Sequence, residues 1–197
     1  MEIFLIRHAQ TQGNIERRYI GRIDQPLSQA GVACFCNLAY PMAERVYVSP
    51  LLRCRQTAQI LYPGEQPVVL DSLRECDFGD FEGKCHRELE ALPEYQEWIA
   101  SGGEAAPPNG ESGRGFRERC CNGFAQAIED CFRDQISRVA FVIHGGTIMA
   151  VMERFAKGKP FYDWQVPNLG GWSACVTEEQ WAKGRMLREV TRIDEPV

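Results

Sequence analysis

The sequence predicts an α/β fold: three α/β/α layers around a mostly parallel central sheet, with one antiparallel edge strand and a helical insertion over the carboxyl ends of the strands. Three observations predict it. Strand and helix signals alternate through most of the chain, the pattern of βαβ units. Residues 2–6 (Glu-Ile-Phe-Leu-Ile) and 138–143 (Arg-Val-Ala-Phe-Val-Ile) read as buried strands. Each runs straight into a polar turn bearing a histidine, Arg7-His8-Ala9-Gln10-Thr11 and His144-Gly145-Gly146-Thr147. In an open α/β sheet, ligands bind just beyond the carboxyl ends of the strands, so two such turns can face one site.

The elements follow in order. After the first strand, residues 10–25 are a polar stretch containing Gly13 and Gly21. Pro26-Leu27-Ser28 then opens a helix to about residue 40, with Ser28 as N-cap. Residues 45–48 form a short strand. Ser49-Pro50 fits an N-cap followed by proline at the first helical position, for a helix over about 51–62. Residues 67–70 are another short strand. Glycines and prolines then punctuate residues 71–115. They predict an insertion, about 76–112, with short helices near 84–92 and 94–100, placed to wall a substrate pocket. A long helix over 112–135 leads into the His144 strand, and a further helix runs to about residue 156. Residues 173–178 and 186–192 read as terminal strands, one of them antiparallel. The whole chain, 1–197, is expected to be one domain.

Composition narrows the function classes. Hydrophobic residues make up 44% and charged residues 25% of the 197, ordinary for a soluble globular protein. The net charge is −5 and no dense basic run occurs, which argues against nucleic-acid binding. No apolar run approaches a membrane span, and the first strand begins at residue 2, leaving no signal peptide. The nine cysteines include no CxxC pair and match no zinc framework. They read as reduced thiols of a cytoplasmic protein.

Four segments carry polar groups to the expected common face. At Arg7-His8, a neutral imidazole can attack phosphorus while the guanidinium fork pairs with phosphoryl oxygens. Arg53 falls in the first turn of a helix, where the dipole disfavours a cation and favours an anion beside it. Residues 73–83 hold Glu75, Asp77, Asp80 and Glu82 among aromatics and glycines. A carboxyl against apolar walls has a raised pKa and can act as a general acid; spacing does not choose among the four. At His144-Gly145-Gly146, the glycines permit close backbone approach and the histidine can donate to a phosphoryl group. His86 lacks such a context and reads as a surface residue.

Together these segments resemble the histidine phosphatase, or phosphoglycerate mutase-like, superfamily. The resemblance spans about residues 1–155. It rests on Arg7-His8-Ala9-Gln10-Thr11, Asn14, Gly21, Asp24, Pro26-Leu27-Ser28-x-x-Gly31, Ser49-Pro50-Leu51-x-Arg53-x-x-Gln56-Thr57-Ala58, Leu73-x-Glu75-x-x-Phe78-Gly79-x-Phe81-Glu82-Gly83, Gly110-Glu111-Ser112 and His144-Gly145-Gly146. It implies that His8 becomes phosphorylated and that Arg7, Arg53 and His144 bind the phosphoryl group. It also implies that Glu75 is the proton donor, that Asn14, Gly21 and Gly145 line the substrate site, and that no metal or other cofactor is needed. Ala9 stands where the family has glycine; a left-handed backbone there would be strained. Residues 76–112 contain only Lys84 and Arg87 as basic residues, unlike the mutases, and the group most resembled is that of the α-ribazole-5′-phosphate phosphatases and the short broad-specificity phosphatases, which the motifs do not separate. The partner expected is a small phosphate ester, with no oligomeric state implied. A phosphoglycerate mutase and a non-catalytic binder of phosphorylated ligands are the alternatives.

Overall fold

A computed structural model describes residues 1–35 and 40–193. The strands are β1 (Glu2–Arg7), β2 (Arg45–Val48), β3 (Val68–Val69), β4 (Arg138–Ile143), β5 (Gly171–Cys175) and β6 (Arg188–Ile193). They form one sheet in the order β3-β2-β4-β1-β5-β6. β1, β2, β3 and β4 pair in parallel, whereas β5 is antiparallel to both β1 and β6. This is the mostly parallel sheet the sequence predicts.

Alternation along each strand splits the core in two, because successive side chains point to opposite faces. Ile3, Leu5, Tyr47, Val139, Phe141 and Ile143 pack on one face against helices α6 (Gly113–Arg133) and α7 (Gly145–Phe155). Phe4, Ile6, Val46, Val48, Ala140 and Val142 pack on the other against Cys54, Ala58 and Tyr62, at and just beyond helix α3 (Leu52–Leu61). Both central strands are therefore apolar on both faces apart from charged residues at their ends, and a charge at any of these positions would lie in a dry layer.

Local chemistry shifts several expected boundaries. The polar stretch after β1 contains a short helix α1 (Gln12–Ile15), capped by the Thr11 hydroxyl. Helix α2 (Gln29–Ala33) starts at its Ser28 cap as expected but ends well before residue 40; the Phe35 N–H turns back to the Val32 carbonyl. Residues 36–39 of that expectation lie outside the described residues. α3 begins at Leu52 because Ser49 is not its cap. The Ser49 hydroxyl instead meets His144 Nε2 at 2.7 Å, and the Leu52 N–H is capped from a distance by Asp24 Oδ1 at 2.6 Å. At the C-terminal end, Thr177 and Gln180 form a capping box. It starts a helix α8 (Glu178–Gly184) between the two expected terminal strands, where the sequence predicts no element.

Residues between β3 and α6 carry helices α4 (His86–Leu89) and α5 (Pro93–Ala100) and a small core of their own, Phe81, Leu89 and Tyr95. Backbone bonds Tyr19 N–H to Lys84 O (2.9 Å) and Gly83 N–H to Tyr19 O (2.8 Å) fasten this segment to the chain following β1. That seam brings residues 75–103 over the carboxyl end of the sheet. Among the described residues, no helix is long and apolar enough to cross a membrane.

Candidate active site

The parallel pairing of β1 with β4 sets Arg7 opposite Ile143, so both strands end at one level. His8 and His144 follow directly. Their rings meet edge to face, with centroids 5.2 Å apart. His8 Nδ1 lies 2.7 Å from the Ala9 carbonyl oxygen. A carbonyl can only accept, so Nδ1 carries the proton and Nε2 keeps its lone pair. Burial, then the charges of Arg53 and Arg7, hold the imidazole well below its usual 6.5. His8 is thus neutral at neutral pH and oriented by its own backbone. Ala9 is not among the residues of left-handed backbone, so the missing glycine costs no strain there.

A cavity of about 610 Å³ opens onto His8. Arg7, Asn14, Glu75 and Gly145 line it as well, so five of the eight sequence candidates share its wall. The Arg7 Nη1 donates to the Val166 carbonyl at 2.7 Å, while its Nε is buried with no partner. Gly145 leaves room for that guanidinium: a Cβ there would sit 3.3 Å from Arg7 Nε. Asn14 Oδ1 receives the Thr11 N–H (3.1 Å) and the Asn168 amide (3.3 Å), and that same amide also reaches the His8 carbonyl at 2.9 Å.

Geometry separates the four carboxylates. Glu75 alone lines the cavity with His8. Its oxygens receive the N–H groups of Cys76 and of Gly146 in the first turn of α7, both at 3.1 Å. Burial nevertheless pushes its carboxyl above the usual 4.5, outweighing those bonds and the pull of Arg53 and Arg7. Glu82 collects the N–H groups of Gly21, Arg22, Ile23 and Phe78, which makes it a loop clamp. Asp77 caps the Gly79 N–H and pairs with Arg22, and Asp80 accepts from Asn109.

Three candidates stand apart from the cavity. Arg53 is fully buried behind it, donating to the carbonyls of Ile23 (2.9 Å), Gly21 (3.0 Å) and Ile20 (3.3 Å). His144 is also fully buried, and its ring nitrogens face Ser49 and the Cys54 sulfur rather than the cavity. Burial, Arg53 and His8 hold it neutral too. Gly21 borders a neighbouring cleft with Arg22, Leu51 and Asp77. It allows close approach to the Cys76 carbonyl, where a Cβ would collide.

Spacing did not reveal the rest of the wall: Tyr19, Trp98, Phe116, Arg117, Phe161, Tyr162 and Asn168. They come from segments distant in sequence, and only the local density of aromatic residues near 95–98 and 161–164 marks them. Among the described residues, no group of three or more His, Cys, Asp or Glu side chains is placed to hold a metal ion.

Comparison with known proteins adds the family. The model of the histidine phosphatase superfamily (branch 1) matches residues 3–190. The chain belongs to the histidine phosphatase superfamily. It is accordingly a phosphatase, a hydrolase acting on small phosphate esters. It is 30% identical to the adenosylcobalamin/alpha-ribazole phosphatase of Escherichia coli (strain K12), over 95% of both chains. It is 28% identical to the protein of the same name from Salmonella typhimurium (strain LT2), over 95% of this phosphatase and 96% of the relative. The crystal structure of the alpha-ribazole phosphatase from Shigella flexneri superposes with a TM-score of 0.83 at 23% identity, covering 100% of this chain and 98% of that one, which supports the fold.

Proposed function

We propose that this phosphatase is a metal-independent phosphomonoesterase that works through a phosphohistidine at His8, with α-ribazole 5′-phosphate as its substrate. The observation that carries the mechanism is the pairing, in one cavity, of a neutral His8 whose Nδ1 is held by Ala9 with a Glu75 carboxyl of raised pKa. The substrate reading rests on the two bacterial relatives and on a cavity large enough for a nucleoside-sized ester.

The steps follow from these groups. The His8 Nε2 lone pair attacks phosphorus, and an N–P bond forms as the P–O ester bond breaks. The imidazole becomes cationic, and the Ala9 carbonyl accepts from its Nδ1–H throughout. Arg7, whose buried Nε lacks an acceptor, supplies a donor to the phosphoryl oxygens. Arg53 and His144 back the site from behind, the first as fixed positive charge, the second as a neutral ring held by Ser49 and packed edge to face on His8. Asn14 lines the phosphate end, with Gly145 opening space beside Arg7. Glu75 gives its proton to the departing oxygen, then as a carboxylate takes one from the water that cleaves the N–P bond. Residues 1–197 act as one domain, with the 76–112 insertion supplying part of the substrate wall.

The test is phosphate release in the presence of EDTA from α-ribazole 5′-phosphate, 3-phosphoglycerate, sugar phosphates and an aryl phosphate. A strong preference for α-ribazole 5′-phosphate, abolished by His8→Ala, is expected. Turnover that survives His8→Ala defeats the phosphohistidine route, and comparable weak rates on every ester defeat the substrate assignment.

A further inference from the structure

The cavity has a second part that the phosphoryl chemistry does not use. Tyr19, Phe78 and Trp98 line it together, from the chain after α1, the turn before residue 79 and helix α5. Their rings brace one another. Tyr19 and Trp98 meet edge to face at 5.5 Å and 87°, Phe78 and Trp98 at 6.2 Å and 88°, and Tyr19 lies 5.2 Å from Phe78. Phe81 and Tyr95 support Trp98 from the small core behind, with centroids 5.8 and 5.9 Å away. None of the three lining rings is fully buried, so each keeps surface available to a ligand.

Most of the polar groups around this wall are already committed. The Tyr19 hydroxyl is 2.8 Å from the Tyr95 hydroxyl, which also meets His86 Nδ1 at 2.9 Å. The Tyr162 hydroxyl donates to the Gly102 carbonyl at 2.9 Å. Arg18 is bound to Glu16, Glu88 and the Gly83 carbonyl, and Arg117 to Glu104 and Glu153. A polyhydroxylated or doubly phosphorylated leaving group would strip its hydroxyls or charges of water here and find few free partners, a penalty that opposes binding. A flat aromatic group needs no such partners and is matched by exposed ring surface. Arg17 and Gln165, exposed cavity residues with no side-chain partner among the described residues, remain for a polar linker.

We propose that Tyr19, Phe78 and Trp98 form a leaving-group subsite that selects phosphate esters bearing a planar aromatic or heteroaromatic ring, with Trp98 as its main specificity-determining residue. This rests on the phosphomonoesterase reading of the same cavity and adds the basis of its selectivity.

The test uses a matched pair, α-ribazole 5′-phosphate and ribose 5-phosphate, which share the phosphorylated sugar and differ in the aromatic base. Stacking on one aromatic side chain is worth about tenfold in affinity or more. The parent should therefore favour the base-bearing ester in kcat/KM by at least about tenfold. Trp98→Ala should raise KM for that ester by a similar factor and affect ribose 5-phosphate far less, so that the ratio of the two collapses, and Trp98→Phe should keep most of the preference. Phe78→Leu, milder toward the insertion's core, should lower the same ratio in part. Titration calorimetry with α-ribazole itself, which carries no phosphate, reads the subsite without turnover: the parent should bind it and Trp98→Ala should bind it more weakly. Equal losses on both esters in Trp98→Ala and Phe78→Leu, or no preference in the parent, overturn the proposal. Binding of α-ribazole without hydrolysis of either ester would sustain the subsite and bring down the phosphomonoesterase reading instead.

Discussion

Replacing Arg119 with methionine tests how the Glu75 loop is held. Arg119 projects from α6, and its fork takes both oxygens of Glu111, at 3.0 and 2.6 Å. The remaining donors reach the carbonyls of Ser72 (2.9 Å), Arg74 (3.1 Å) and Glu75 (3.4 Å), the segment that delivers Glu75 to the cavity. Both partners are about three-quarters buried, at 24% and 23% side-chain exposure. Removing one member of a buried pair costs about 3–5 kcal/mol, and the residual exposure brings this toward the lower end, about 3 kcal/mol. Methionine keeps the apolar stem and its contact with the core, so the loss is that of the fork. For a chain of this size the expected fall in Tm is about 6–12 °C. Differential scanning calorimetry measures it. Adding Glu111→Leu should recover much of the stability, because no orphaned carboxylate remains. It should not restore turnover of alkyl phosphates, since the carbonyls before and at Glu75 stay unheld. A Tm for Arg119→Met within about 1 °C of the parent would refute the reasoning, because it would mean the fork is replaced by water without loss.

Other substitutions and pH changes probe the site directly. Glu75→Gln should slow alkyl phosphates by about a hundredfold or more and aryl phosphates far less, since a phenolate leaves with little protonation; equal slowing moves the acid role elsewhere. Because the Glu75 pKa is raised and it acts protonated, kcat/KM should fall as pH rises through that pKa, and Glu75→Gln should lose this limb on the same substrate. An unchanged alkaline limb would rule that assignment out. Gly146→Ala places a methyl against Glu75 Oε1, the far end of a movable side chain. Activity should drop at least about tenfold with a Tm change below about 2 °C. Wild-type rates would show that the carboxyl tolerates displacement. His8 and His144 have folded pKa values below 6.5, so the unfolded chain binds more protons as pH falls. Their contribution to stability is present above pH 6.5 and is lost below it, toward the folded pKa values. Glu75 has the opposite sign, favouring the folded state below about 4.5 and losing that contribution as pH rises through its folded pKa. Denaturant midpoints should therefore fall from pH 6.5 to 5, with a shallower slope in His144→Asn; parallel slopes would contradict buried neutral imidazoles.

Much of the fold and part of the site are legible in the residues alone. The runs at β1 and β4 are apolar on both faces, and a chain so patterned must lie between two layers. The histidine turns follow these runs immediately, so knowing the strands puts His8 and His144 at strand ends, and the pairing of β1 with β4 then sets them side by side. The motif resemblance brings in Glu75, whose place beside His8 the tertiary structure then supplies. Other features depend on contacts that no local pattern encodes. Ser49 looks like a helix cap, yet His144, 95 positions away, claims its hydroxyl, and Asp24 caps α3 across 28 positions. Gly21 looks like a ligand contact but allows close packing against the Cys76 carbonyl. The protonation of His8 at Nδ1 follows from where the Ala9 carbonyl points, and the neutrality of both imidazoles follows from burial beside Arg53 and Arg7. The aromatic wall assembles only when residues 19, 78 and 98 meet through the seam at Gly83 and Lys84. Periodicity and turn chemistry act over a few residues, so they determine the elements and the strand ends where chemistry can sit. Packing between distant segments decides hydrogen-bond partners, burial and charge, and with them which of the candidates can react.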